Sequence, residues 1–166
     1  PTELALHVAR TARSLGIAVV LDPAPAIPLP DEVWASVDIV TPNETEASVL
    51  TGITVTDVET ATAAGRWFLD RGVTTAIITL AGEGAVVVTT DGVRQFTPFL
   101  VDAVDTTAAG DAFAGYLGAA LAAGSSIDDA IRLANAAGAL TVTQRGASSS
   151  LPLRADVDAF LAERTA

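Results

Sequence analysis

Short β-branched runs alternate along this chain with helical patterns that stop at glycine, and this alternation limits the available folds more than any other feature. Glu3 to Leu15 carries apolar residues at helical spacing and ends at Gly16. Ile17 to Leu21 follows as a continuous apolar run, the pattern of a buried strand. Asp22 to Pro30 holds four prolines and is excluded from regular structure. A short helix around Asp31 to Ser36, a strand near Asp38 to Thr41 and a helix from Asn43 to Thr51, closed by Gly52, come next. Thr56 and Glu59 have capping-box spacing and open a helix to about Arg71, before Gly72. Thr74 to Leu80 is the strongest strand pattern. Ala85 to Thr90 and Val93 to Thr97 flank Asp91-Gly92, a pair that signals a two-residue hairpin. The helix after Asp111 runs to about Ala123, before Gly124. Ser126 and Asp129 open another to about Thr143, and a last one follows Pro152 to about Glu163. Parallel strands joined through helices, with an antiparallel hairpin, make an α/β fold, expected as a single domain over residues 1–166.

Charge and composition narrow the function. A net charge of −11 argues against a nucleic-acid backbone or an anionic membrane as the main partner. ATP stays open, because phosphate sites are built from backbone N–H groups and metal ions. With no cysteine there is no disulfide, thiolate metal site or cysteine nucleophile. The one histidine, His7, falls in the first helical pattern and reads as a helix residue rather than a catalyst. Half the residues are apolar, yet no run of about 18 suggests a membrane span. No signal-peptide pattern is visible, and the cytoplasm is the expected location. The absence of methionine makes a fragment or processed product the expectation.

The chemistry concentrates in Asp105-Thr106-Thr107-Ala108-Ala109-Gly110-Asp111, just ahead of the apolar helix. Small residues let the backbone approach a ligand closely, and a helix N-terminus offers unpaired N–H groups with a partial positive charge, which suits a phosphate. A carboxylate there repels an anion, a conflict explained if Asp111 removes the proton of a nucleophile attacking a phosphoryl group. The structural alternative is that Thr106 or Thr107 caps the helix and Asp111 complements its dipole. Asn43 and Glu46 likewise have capping-box spacing, and Gly82 and Gly84 suit a plain strand connection.

Four ordered segments resemble the C-terminal, nucleotide-binding half of the ribokinase or PfkB family of carbohydrate kinases. They are Leu21-Asp-Pro-Ala-Pro-Ala26, Thr41-Pro-Asn-Glu-Thr-Glu-Ala47, Thr79-Leu-Ala-Gly-Glu-Gly84 and Asp105 to Asp111; Gln144-Arg-Gly-Ala147 is also similar. The resemblance covers essentially the whole chain. It implies a ribokinase-like, Rossmann-like three-layer sandwich with a mostly parallel sheet and an antiparallel hairpin, lacking the N-terminal half and its lid. The implied activity is transfer of the ATP γ-phosphoryl group to a sugar hydroxyl, as in conversion of D-ribose to ribose 5-phosphate. Asp111 corresponds to the general base and the amides of Ala108, Ala109 and Gly110 to the anion hole. Ala108 stands where the commonest family motif has glycine.

By the same resemblance, Asn43 and Glu46 are linked to magnesium, and Asn43, Thr79, Leu80, Ala81, Gly82, Glu83, Gly84, Gly110 and Asn135 to the nucleotide. A potassium-type site maps to Asp105, Thr107, Thr141, Gln144, Gly146 and Ser150. The implied cofactors are therefore ATP, Mg²⁺ and K⁺, and the implied partner a ribose-like small molecule. The family's sugar-positioning segments have no counterpart here, so the isolated chain is expected to be inactive. Exposed strand edges are expected to bring self-association or a covering partner. Another sugar, sugar-acid or nucleoside kinase of the family is the near alternative. A non-catalytic nucleotide-binding or interaction module is the more distant one.

Overall fold

The structure, a computed structural model, describes residues 2–164. The chain packs as two compact units, residues 1–96 and 97–166. The first contains helices α1 (Thr2–Ser14), α2 (Asp31–Trp34), α3 (Glu44–Thr51) and α4 (Val58–Leu69). Its strands are β1 (Val20–Leu21), β2 (Ile39–Val40), β3 (Thr75–Thr79), β4 (Ala85–Thr89) and β5 (Gly92–Phe96). They form one five-stranded sheet in the order β1-β2-β3-β4-β5. β1, β2 and β3 run parallel, joined through helices; β3, β4 and β5 are antiparallel.

Alternation along the sheet decides where the core lies. Ala76, Ile78, Val86 and Val88 share a face and are buried with Trp34, Val37, Val40, Ala61, Ala64 and Phe68. Ile77 and Val87, opposite one another on the other face, are also fully buried, which is why β3 and β4 read as unbroken apolar runs. Trp34, Trp67 and Phe68 pack edge to face with centroids 5.0 to 6.0 Å apart, and the Arg71 guanidinium lies 3.6 Å from the Trp67 ring centroid. α4 lies against β4 at Gly65, where a side-chain Cβ would stand only 2.7 Å from Val88 Cβ.

Three local expectations are corrected. Ile17 to Leu21 gives a strand only at Val20–Leu21, and it is half-buried at the sheet edge rather than buried. Asp57, not Thr56, caps α4: its Oδ1 accepts from the Thr60 amide at 2.8 Å, while the Thr60 hydroxyl accepts from the Asp57 amide at 3.1 Å. Aspartate is the stronger cap, and Thr56 instead gives its amide to the Thr60 hydroxyl at 2.9 Å. The hairpin loop is Thr90-Asp91, since Thr89 pairs with Gly92; Gly92 opens β5 with φ 147°, a backbone conformation that favours glycine.

The second unit contains α5 (Ala109–Ala122), α6 (Ile127–Thr141) and α7 (Arg154–Glu163), with α6 packed against both others. Buried alanines at 112, 120, 130, 134 and 137 allow close approach between helices, around Phe113, Leu117 and Ile131. Ser126 caps α6 by accepting from the Asp129 amide at 3.1 Å. The Tyr116 hydroxyl donates to the Pro152 carbonyl at 2.9 Å, and Phe99 packs edge to face on Phe160 at 5.3 Å.

The Gly65–Val88 contact yields a direct test. Gly65→Val is expected to destabilise the first unit by about 3 kcal/mol through overpacking, with Val88→Ala recovering part of the loss. Urea unfolding followed by tryptophan fluorescence measures it, because Trp34 and Trp67 both belong to this unit.

Candidate functional site

α5 begins unlike its neighbours. α3, α4 and α6 start on side-chain caps from Asn43, Asp57 and Ser126, whereas α5 starts on Ala108, whose methyl group accepts nothing. Neither Thr106 nor Thr107 supplies the side-chain cap that the structural alternative called for. Ala108 is held left-handed, at φ 63° and ψ 10°, a conformation that costs an alanine roughly 1–2 kcal/mol. The Ala109 amide donates to the Thr106 carbonyl at 3.3 Å, and the Ala112 amide to the Ala108 carbonyl at 2.9 Å. The amides of Gly110 and Asp111 meet no acceptor among the described residues. The Ala108 amide likewise meets none, so of the Ala108–Gly110 set only the Ala109 amide is engaged, and Asp111 adds a further free donor. Asp111 sits in the first turn, exposed, its carboxylate without a partner among the described residues.

Asp105 braces this helix start. Its Oδ1 accepts from the Thr107 amide at 3.0 Å and its Oδ2 from the Gly146 amide at 3.1 Å, so one carboxylate joins the loop before α5 to the loop after α6. The Thr107 side chain, the two amides and nearby Arg145 hold the Asp105 carboxyl down at about 2, against an ordinary 3.8. The Val142 carbonyl ties the same segment by accepting from Val104 at 2.7 Å and Asp105 at 3.1 Å. Sequence reasoning missed Val142, because a backbone acceptor leaves no side-chain signature. Of the proposed cation ligands, Asp105, Thr107 and Gly146 are brought together by this brace. Thr141 is buried with its hydroxyl donating to the Ala137 carbonyl at 2.8 Å, and the buried Ser150 hydroxyl donates to the Gly146 and Ala147 carbonyls at 2.7 Å. Gln144 is exposed, and Asn135 is half-buried midway along α6. The set is rich in oxygen, and among the described residues no three His, Cys, Asp or Glu side chains cluster as metal ligands.

In the first unit the structure joins Asn43 to Thr79. The two form a parallel bridge, and the Thr79 amide donates to the Pro42 carbonyl at 3.0 Å. Asn43 and Glu46 make the capping box: Asn43 Oδ1 accepts from the Glu46 amide and Glu46 Oε2 from the Asn43 amide, both at 2.9 Å. Glu46 Oε1 is left over. The segment after Thr79 is one turn of 3-10 helix, Ala81–Glu83, closed by a 2.7 Å bond from the Leu80 amide to the Gly84 carbonyl. Ala81 has φ 37° and Gly84 φ 90°, so two left-handed residues fold the strand end back, while Ala81, Gly82 and Glu83 remain exposed.

Two outcomes are expected. Folding depresses the Asp105 pKa, so its bracing is present above about pH 4 and is lost as pH falls through about 2. The Gly146 and Thr107 amide proton shifts should then titrate with a midpoint of about 2, and a midpoint near 3.8 would contradict the brace. Ala108→Gly should raise thermal stability by about 0.5–1 kcal/mol, because relief of the left-handed strain exceeds the added freedom of the unfolded chain.

Comparison with known proteins gives these geometries a lineage. The profile of the pfkB family carbohydrate kinases matches residues 1–154. The chain is 46% identical over 153 residues to a ribokinase of Haemophilus influenzae, covering 92% of this chain and 50% of that protein. It is 36% identical to a deoxyribokinase of Salmonella typhi, over 90% of this chain and 49% of that one. The structure of Arabidopsis thaliana ribokinase complexed with ribose and ATP superposes with a TM-score of 0.91 at 32% identity, covering 97% of this chain and 53% of that one. Thermotoga maritima ribokinase gives 0.88 at 37% identity, over 98% and 54%. The fold is thus ribokinase-like, and the chain spans about half the length of the curated relatives it matches. With the matched profile covering most of its residues, the chain belongs to the pfkB family of carbohydrate kinases.

Proposed function

We propose that this chain carries the nucleotide-binding and base-bearing part of an ATP-dependent carbohydrate kinase, most like ribokinase. The observation that carries the reading is the start of α5, where amides and an Asp111 carboxylate without partners among the described residues share one helical turn. Bound ATP supplies the phosphoryl group and the leaving ADP. Asp111 accepts the proton of the sugar hydroxyl as its oxygen bonds to the γ-phosphorus and the bond to the ADP oxygen breaks. The Gly110 and Asp111 amides, with that of Ala108, are oriented donors for the charge on the transferring group. The Asp105 brace holds them in place before the reaction begins.

Donor chemistry supports the cofactors. Glu46 Oε1, outside the capping box, suits a magnesium ion through water. The carboxylate, hydroxyl and carbonyl oxygens of Asp105, Thr107, Thr141, Gln144, Gly146 and Ser150 suit a large monovalent cation such as K⁺. Thr79 to Gly84 and Asn135 are assigned to the nucleotide, and the substrate to the ribose-like class. A deoxyribokinase among the relatives keeps a deoxy sugar as the second substrate reading.

The isolated chain should bind ATP with Mg²⁺ and K⁺ yet phosphorylate no ribose, because positioning the sugar accounts for several kcal/mol of barrier reduction. A chimera joining it to the unmatched half of the Haemophilus influenzae ribokinase should phosphorylate ribose. In that chimera Asp111→Asn is expected to lower kcat by about 10²–10⁴-fold while sparing or raising ATP affinity, as read by steady-state kinetics and calorimetry. Unchanged kcat would remove Asp111 from the reaction.

A further inference from the structure

The last turn of α6 meets the start of α5 at a residue with no side chain. Gly138 is half-buried, next to the buried Ala137 and one turn ahead of the end of α6. A Cβ placed on it would stand 3.5 Å from the Ala109 carbonyl oxygen, an ordinary van der Waals contact, with no atom of another element closer than 4 Å besides. Four residues on, the Val142 carbonyl accepts from the Val104 and Asp105 amides at 2.7 and 3.1 Å. The Val142 amide in turn donates to the Gly138 carbonyl at 3.2 Å. One turn of α6 therefore touches the approach to α5 twice, by hydrogen bonds at Val142 and by bare backbone at Gly138.

The Ala109 carbonyl and the Gly110 N–H belong to one planar trans peptide and point in opposite directions, so placing the oxygen fixes the line of the donor. That donor meets no acceptor among the described residues. Helical bonding orients the peptide within its own turn, but where the turn sits depends on contacts from outside. Ala108 supplies no side-chain cap, and the Asp105 brace ends at Thr107, three residues before Gly110. Gly138 is the outside contact on the peptide itself. A side chain branched at Cβ could not swing away from the carbonyl, because its χ1 is confined in a helix and the interior leaves little slack.

We infer that Gly138 is a positioning residue: by admitting the Ala109 carbonyl onto α6, it aims the Gly110 amide at the phosphoryl group in transfer. The inference rests on the kinase reading of the α5 start. Gly138 touches no substrate in this role and acts only through the Ala109–Gly110 peptide. Alanine at 138 fills the contact without displacing it. Valine adds methyl groups beyond a Cβ already in contact and pushes the peptide out of line.

Kinetics of the chimera with the unmatched half of the Haemophilus influenzae ribokinase, and amide resonances of the isotope-labelled chain, test it together. Gly138→Val should lower kcat about 10-fold or more with the KM for ATP changed less than about 3-fold, since a misaimed donor is felt mainly in the transition state. Gly138→Ala should keep kcat. Ala130→Val, at a buried position about two turns earlier in α6, should lower thermal stability yet keep kcat. In the labelled chain Gly138→Val should shift the Gly110 amide resonance, and Ala130→Val should leave it in place. Where Gly138→Val does not fold, Gly138→Ser, one atom longer than alanine, replaces it with the same expected directions. An intact kcat in Gly138→Val, while Asp111→Asn removes turnover, overturns the inference and leaves the kinase reading standing. An equal loss in Ala130→Val also overturns it, because the effect then belongs to packing at large. A chimera without turnover before any substitution sinks the kinase reading instead, and the Gly110 resonance alone decides whether Gly138 sets the amide. An unmoved resonance overturns the inference in either case.

Discussion

β3 must satisfy two unlike neighbours at once, and most of the first unit is arranged around that demand. On one side it follows β2 in parallel; on the other it meets β4 running the opposite way through five paired residues. Both of its faces must also be apolar. The Trp34 cluster and α4 can then settle on one face only if α4 approaches closely, which Gly65 permits. The same pairing brings the end of β3 beside the start of α3, so that Thr79 touches Asn43 and Pro42. Residues 36 positions apart in sequence are thereby neighbours because of sheet register, not because of any attraction between their side chains.

The second unit depends on a division of labour at a helix start. A capped helix spends its first amides internally. α5 forgoes that arrangement, accepts a left-handed alanine and leaves two amides unspent. Asp105 makes this tolerable by fastening the preceding loop from outside the helix. Local order is lost at Ala108 and restored from Gly146, 38 residues later in the chain. Conformational strain beside unpaired donors is the pattern expected where a backbone is shaped for a ligand rather than for its own stability.

Helix boundaries were the most legible part of the sequence, because caps and terminal glycines act within a turn: Asn43, Ser126, Gly52 and Gly124 all do what their spacing suggests. Competing caps one residue apart were not separable by spacing, and Asp57 displaced Thr56 through its better acceptor. The hairpin slid by one residue because the β3–β4–β5 register, a long-range property, overrides the local Asp-Gly signal. In the site, the acidic residue in the first turn of α5 and the glycine turn after β3 were legible as side-chain motifs. The Val142 and Thr106 carbonyls and the free Asp111 amide were not, since every residue has such groups and only the fold selects among them.

The placement of the aromatic side chains has a practical consequence. Trp34 and Trp67 lie in the first unit, and Tyr116, the only tyrosine, lies in the second. The two halves of the molecule therefore carry different intrinsic chromophores. Tryptophan fluorescence excited beyond the tyrosine band reports unfolding of the first unit alone, while the helical circular dichroism signal reports both, with no label added. Coincident transitions would mean that the units melt as one cooperative body, and separated ones that each melts alone.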